Sequence, residues 1–152
     1  MINIENTPLT QISTEAVINP INCTGWLEAG PMLTLRNAFP MNFIAYRRAC
    51  RLRRIKVGEM YVVPLIPEGD GPQYIINFPL KRNRRPTRLD DIKHGLIDLV
   101  KTCEEWNIRS ITIPALGYEP GGPPWEEIEQ AIINAFLLSP EIDVHLIPPE
   151  KI

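Results

Sequence analysis

Two glycine-bearing turns hold the residues of this chain best suited to chemistry. The first, Asn19 to Gly30, reads N-P-I-N-C-T-G-W-L-E-A-G, and the second, Pro114 to Trp125, reads P-A-L-G-Y-E-P-G-G-P-P-W. Each follows a short apolar and β-branched run, Ala16 to Ile18 and Ile111 to Ile113, and each leads toward an amphipathic helical pattern. Glycine lets the main chain approach an anion where a side chain would block it, and successive N–H groups in such turns form a concave donor surface. Paired, the turns predict a holder for a diphosphate. One side would be Asn22, Cys23, Thr24, Gly25, Trp26, Leu27, Glu28, Ala29 and Gly30, and the other Leu116, Gly117, Tyr118, Glu119, Pro120, Gly121 and Gly122.

Individual side chains in these turns have competing uses. The Asn22 amide offers two donors and an acceptor to a ligand, or it fixes its own turn at the end of a strand. Trp26 and Tyr118 offer aromatic faces to a base or ribose, or they pack against the core. Glu28 and Glu119 are surface carboxylates, or groups set to meet a cation or polarise a water. Pro120 and Pro123 each remove a main-chain donor from the second turn.

Other chemistries find little support. Cys23, Cys50 and Cys103 form no C-x-x-C pair and have only His94 and His145 to complete a metal site, so no zinc site and no other metal or cofactor is expected. No G-x-S-x-G elbow occurs, and no serine or cysteine has a histidine at a spacing that predicts nucleophilic catalysis. Cys23 stands out among the thiols because a helix N-terminus close to the first turn would lower its pKa. Eleven of the 16 Lys and Arg fall in two short runs, Arg47, Arg48, Arg51, Arg53, Arg54 and Lys56, then Lys81, Arg82, Arg84, Arg85 and Arg88. The second run, at the end of a strand, predicts nucleic-acid contact through Lys81, Arg82, Arg84 and Arg85, against the plainer reading of a solvated face. No apolar stretch approaches the roughly 20 residues of a membrane span and no secretory leader is evident, so a cytoplasmic protein is expected.

These residues need a scaffold, and the hydrophobic pattern supplies one. Ile2 to Glu5 reads as an edge strand and Ala16 to Ile21 as a buried strand interrupted at Pro20. Met32, Leu35 and Phe39, then Phe43, Tyr46 and Ala49, recur at helical spacing, with Pro40 dividing two helices near 31–39 and 41–52. Glu59 to Leu65 and Gln73 to Phe78 are candidates for neighbouring strands about a P-E-G-D-G-P turn. Thr87 is placed to cap a helix running to about residue 106, with Ile92, Leu96, Leu99, Val100 and Cys103 on its inner face and His94 exposed. A strand from Ser110 to Pro114, a helix from Trp125 to Leu138 and a last strand from Ile142 to Ile147 complete the chain. Alternating strands and helices over 152 residues predict one α/β domain, 1–152, built as a three-layer α/β/α sandwich.

In this order, the strand and N-P-I-N turn, I-I-N-F-P, R-L-D-D-I, S-I-T-I-P-A-L-G and G-G-P-P-W resemble a macro domain, and in particular the branch of DNA ADP-ribosyl glycohydrolase antitoxins (DarG), from about Ala16 to Phe136. The resemblance implies a mixed central sheet and a cleft for ADP-ribose at the C-terminal ends of its strands, with the diphosphate between the two turns and the distal ribose at Asn22. It makes Asn22 the candidate catalytic residue and Trp125 a structural one. It implies ADP-ribose or an ADP-ribosylated substrate as ligand, single-stranded DNA as its carrier and an ADP-ribosyltransferase toxin as partner.

Ala29 stands where the antitoxin branch has a lysine implicated in removing the sugar, and Glu28 replaces a glycine. G-C-G-N-G-G-L becomes Gly117-Tyr118-Glu119-Pro120-Gly121-Gly122-Pro123, and K-R-H-W-R becomes Lys81-Arg82-Asn83-Arg84-Arg85. The expected activity is therefore recognition with hydrolysis weakened or lost. The alternatives are an active glycohydrolase acting on DNA bases, and a closed-cleft scaffold that binds nucleic acid or protein.

Overall fold

The structure, a computed structural model, describes residues 1–150. Six strands, β1 (Ile2–Ile4), β2 (Ala16–Asn22), β3 (Tyr61–Pro64), β4 (Tyr74–Lys81), β5 (Ser110–Ile113) and β6 (Asp143–Leu146), form one sheet in the order β1-β6-β5-β2-β4-β3. All neighbours run parallel except β3 and β4, so the sheet is mixed as expected. Four helices accompany it: α1 (Pro31–Ala38), α2 (Pro40–Arg51), α3 (Leu89–Glu105) and α4 (Trp125–Phe136).

Strand alternation distributes the two faces. On β2, Ala16 and Ile18 join Ile92, Leu96, Leu99 and Cys103 of α3 and Ile128 and Ile132 of α4 in the larger core. Val17 and Ile21 face the other way, Val17 with Leu35 of α1, and Ile21 with Met32 of α1 and Tyr46 and Ala49 of α2. Period two in the strand and period 3.6 in the helices thus give α1/α2, sheet and α3/α4, the three layers read from the sequence.

Two local expectations need correction, and a third is met. Pro20 does not interrupt β2, which continues to Asn22. The Glu15 carbonyl accepts from the β4 residue Tyr74, so odd positions of β2 aim their main-chain groups at β4 and even positions at β5. The β5 ladder ends at Val17, and the N–H that Pro20 lacks would have pointed where no strand continues to need it. Pro40 divides the two helices as expected, and does so as the first residue of α2, where a missing N–H costs nothing. Thr87 makes no capping bond to α3, whose first turn is led by Arg88; its hydroxyl is turned to the cleft described below.

Two contacts set the fit of the layers. A Cβ at Gly95 of α3 would lie 2.4 Å from the ring of Phe78 on β4, so the absence of a side chain there lets helix and sheet close together. Phe78 is fully buried and has little room to yield. Gly95→Ala should therefore lower the unfolding free energy by about 1–3 kcal/mol through overpacking, despite the ~1 kcal/mol that alanine contributes to a helix interior. A denaturant melt of the two proteins checks this.

The edge strand is fastened by His145, whose Nδ1 is 2.6 Å from Glu5 Oε1 and whose Nε2 is 3.1 Å from Asp143 Oδ2. Burial opposes the imidazolium, but hydrogen bonds to Glu5 and Asp143 and the charges of both outweigh it, so the pKa of His145 lies above 6.5. A folded pKa above the unfolded one gives stability that is complete below about pH 6.5 and is lost as pH rises through the folded value. The urea midpoint should fall from pH 6 to pH 8.5 more steeply in this protein than in His145→Gln.

Candidate functional site

The parallel strands β2, β4 and β5 bring their C-terminal ends to one rim of the sheet, the side on which open α/β sheets bind ligands. The first glycine turn leaves β2 there, the second leaves β5, and β4, beside β2 on the side away from β5, ends at Lys81, whose side chain reaches both turns. Gly25, Gly30, Gly117 and Gly121 all have positive φ, the left-handed region that favours glycine. At Gly117 the demand is double, since φ is 74° and a Cβ would stand 2.5 Å from Ile92 Cδ1 of α3.

Asn22, fully buried, organises the first turn. Its Oδ1 accepts from the N–H groups of Thr24 at 3.2 Å and Gly25 at 2.8 Å and from the Tyr46 hydroxyl at 2.8 Å. Its Nδ2 donates to the Trp26 carbonyl at 2.8 Å and to Glu28 Oε2 at 3.1 Å. Turn-fixing, the plainer of the two uses, is thus what the amide does here, and a ribose hydroxyl would reach Nδ2 only by displacing Glu28. Tyr46 was readable only as a core residue on a helical face, yet its hydroxyl also lies 2.7 Å from the Asn22 carbonyl oxygen. Burial first, and the neighbouring Cys50 second, push the Tyr46 pKa far up, so the phenol keeps the proton it donates.

The space between the turns is bridged by charge. Lys81 Nζ lies 2.8 Å from Glu119 Oε1, 3.0 Å from Glu119 Oε2 and 3.4 Å from Glu28 Oε1, and the Lys81 side chain is only 11% exposed. Thr87 Oγ1 donates to Glu119 Oε2 at 2.8 Å. Burial works against the Lys81 ammonium, but its bonds to Glu119 and the charges of Glu28 and Glu119 raise its pKa above 10.5. The bridge is therefore intact at neutral pH and is lost only as pH rises through that raised value. Lys81 turns inward and leaves its basic run, whereas Arg82, Arg84 and Arg85 are exposed.

The remaining loop residues divide by exposure. Thr24, Leu27, Ala29, Gly30, Tyr118, Pro120 and Gly121 are exposed, Leu116 and Gly117 are buried, and Trp26 and Gly122 lie between. Among the described residues, no hydrogen bond within the chain uses the main-chain N–H of Leu27, Glu28 or Ala29, or of Gly117, Glu119 or Gly121. Arg84 lies over the Trp26 ring, 5.3 Å from its centroid, and Tyr118 meets Trp125 edge to face at 6.5 Å, so each aromatic already has one neighbour. Arg47 of α2 also flanks the first turn, 3.9 Å from where a Gly25 side chain would begin.

The arrangement resembles known proteins along most of its length. The macro domain family model matches residues 18–132. The chain belongs to the macro domain family. It is 39% identical over 150 residues to the DNA ADP-ribosyl glycohydrolase of Mycobacterium tuberculosis, an alignment that takes in 98% of this chain and 42% of that protein. The solved macrodomain of M. tuberculosis DarG superposes with a TM-score of 0.93 at 39% identity, covering 99% of both chains. Thermosipho africanus DarTG, solved in complex with ADP-ribose, shares the fold at a TM-score of 0.89 and 19% identity over 99% of this chain and 42% of its own. This macro domain thus spans about two fifths of the curated relative it matches. No helix among the described residues is long and apolar enough to cross a membrane.

Cys23 departs from its expected chemistry. The first helix after it begins only at Pro31, and the thiol is buried. Desolvation pushes its pKa up to about 11, against a smaller opposing pull from Arg82. Since the thiolate is the reactive form, iodoacetamide at pH 8 should alkylate Cys23 more than tenfold more slowly in the native protein than in urea, as followed by peptide mass spectrometry.

Proposed function

We propose that this macro domain recognises ADP-ribose or an ADP-ribosylated group, ADP-ribosylated DNA foremost, and that its hydrolytic activity is weakened or lost. One observation carries the reading: the two turns rise from the C-terminal ends of adjacent parallel strands with unused main-chain N–H groups on both sides of the Lys81 ammonium. Such donors are suited to a diphosphate, and the positive φ values of Gly25 and Gly117 hold the main chain where it can approach one. The distal ribose would lie beside Asn22 and Glu28.

Loss of hydrolysis follows from what the first turn presents. Cleaving a ribosyl bond requires a placed nucleophile or base and a route for protonating the leaving group. The exposed Ala29 offers a methyl group where the antitoxin branch has its lysine. Arg82, Arg84 and Arg85, exposed beside the turn, supply positive charge for a phosphodiester strand carrying the modification. A DNA ADP-ribosyltransferase is the class of enzyme that would write the mark this domain reads.

The Glu28–Lys81–Glu119 bridge favours a second reading, a scaffold whose cleft is closed to nucleotides and whose basic face alone meets its partner. Titration separates the two. Calorimetry with free ADP-ribose and with an ADP-ribosylated single-stranded oligonucleotide should show binding. A ligand at 100 times its Kd should add about 2.7 kcal/mol of stability in a thermal shift, while chromatography of the oligonucleotide shows no release of ADP-ribose. Glu28→Gly combined with Ala29→Lys should then restore release. Turnover by the unaltered protein that disappears in Asn22→Ala would make it an active glycohydrolase, and silence toward both ligands, in this protein and in Glu28→Gln/Glu119→Gln alike, would select the closed scaffold.

A further inference from the structure

Three donors from three different elements meet at the rim, and each donates to a carboxylate of the two turns. Lys81 Nζ ends β4, Thr87 Oγ1 precedes α3, and Asn22 Nδ2 ends β2. The four carboxylate oxygens are all engaged: Glu119 Oε1 by Lys81, Glu119 Oε2 by Lys81 and Thr87, Glu28 Oε1 by Lys81, and Glu28 Oε2 by Asn22. Two carboxylates carry about the charge of one diphosphate and offer it the same kind of oxygen. They arise one from each turn, on either side of the space where unused main-chain N–H groups remain.

We propose that Glu28 and Glu119 are the affinity- and specificity-determining residues of the cleft, acting as a built-in occupant that a diphosphate must displace from Lys81, Thr87 and Asn22. The inference rests on the reading of the cleft as an ADP-ribose site and adds to it how entry is controlled. Ligand binding becomes an exchange: the ammonium and hydroxyl pass from carboxylate to phosphate oxygens, and the two glutamates swing toward solvent, to which 33% of the Glu28 and 26% of the Glu119 side chain is already open. An anion entering without that exchange would meet two like charges beside one ammonium, and repulsion at such separations is strong where solvent is scarce. The occupant also selects. A free diphosphate gains only what the carboxylates give up, so a ligand is held firmly only if contacts outside the diphosphate, from its ribose, base or attached strand, favour the exchange.

Calorimetric titration of ADP-ribose into the unaltered protein, Glu28→Gln/Glu119→Gln and the same double variant with Lys81→Gln tests the proposal. Glutamine keeps an acceptor for Thr87 and Asn22 while removing the charge. The double variant should bind at least tenfold more tightly than the unaltered protein, with Lys81→Gln abolishing that gain, and inorganic pyrophosphate should follow the same order. Binding by the double variant where the unaltered protein is silent supports the proposal equally. An affinity within twofold of the unaltered protein's overturns it and leaves the ADP-ribose reading standing, whereas silence of both toward ADP-ribose overturns that reading and this one with it. Should the double variant fail to fold, Glu28→Gln alone gives the comparison, with about threefold tighter binding expected and no change overturning the proposal.

Discussion

An ammonium held nearly out of water must be surrounded by acceptors, and at Lys81 that requirement shapes the whole rim of the sheet. The side chain ends β4 between two turns, and each turn meets it with a carboxylate. Unpaired, such a charge would be costly to bury; paired, it ties the loops after β2 and β5 to the end of β4. The Lys81 main chain takes part as well, its carbonyl accepting from the Cys23 N–H at 2.9 Å. Around this centre Thr87 and Asn22 complete the carboxylates, and the Tyr46 hydroxyl completes Asn22.

Beneath the rim lies a second, buried polar layer. Asn77 of β4 exchanges two hydrogen bonds with Asn42 of α2, at 2.9 and 3.2 Å, and its Oδ1 also accepts from Asn19 of β2 at 3.0 Å. With the Tyr46 bonds, this seam fixes α2 against β2 and β4 directionally, where apolar packing alone would allow sliding. The cleft therefore stands on a rigid floor, while its walls are turns whose outer residues are exposed.

Charge is distributed with equal asymmetry. No Asp or Glu occurs between Glu28 and Glu59, or between Asp70 and Asp90, and these two stretches contain both basic runs. Among the described residues none of Arg47, Arg48, Arg51, Arg53, Arg54, Lys56, Arg82, Arg84, Arg85 and Arg88 forms an ion pair with a carboxylate. Arg47 beside Gly25 and Arg84 over Trp26 bring one residue of each run to the first turn. The macro domain thus surrounds a cleft holding two carboxylates and one lysine with uncompensated cations, which raises the local concentration of polyanions while leaving the cleft itself selective.

Much of this was legible before any coordinates. The apolar run from Ala16 to Ile21, the inner face of α3 from Ile92 to Cys103, and the glycine turns after two apolar runs are local patterns, and they determined the strands, the helices and the three layers. Chemistry at single positions was not legible in the same way. Thr87 has the sequence context of a helix cap, Lys81 that of a basic surface run, Cys23 that of an activated thiol and Tyr46 that of a core aromatic. Each was reassigned by a partner distant in sequence: Glu119 for Thr87 and Lys81, enclosing apolar neighbours for Cys23, Asn22 for Tyr46. Periodicity is a property of neighbouring residues and survives in the sequence. Which carboxylate reaches which ammonium depends on strand order and turn direction, and these exist only once the sheet has assembled.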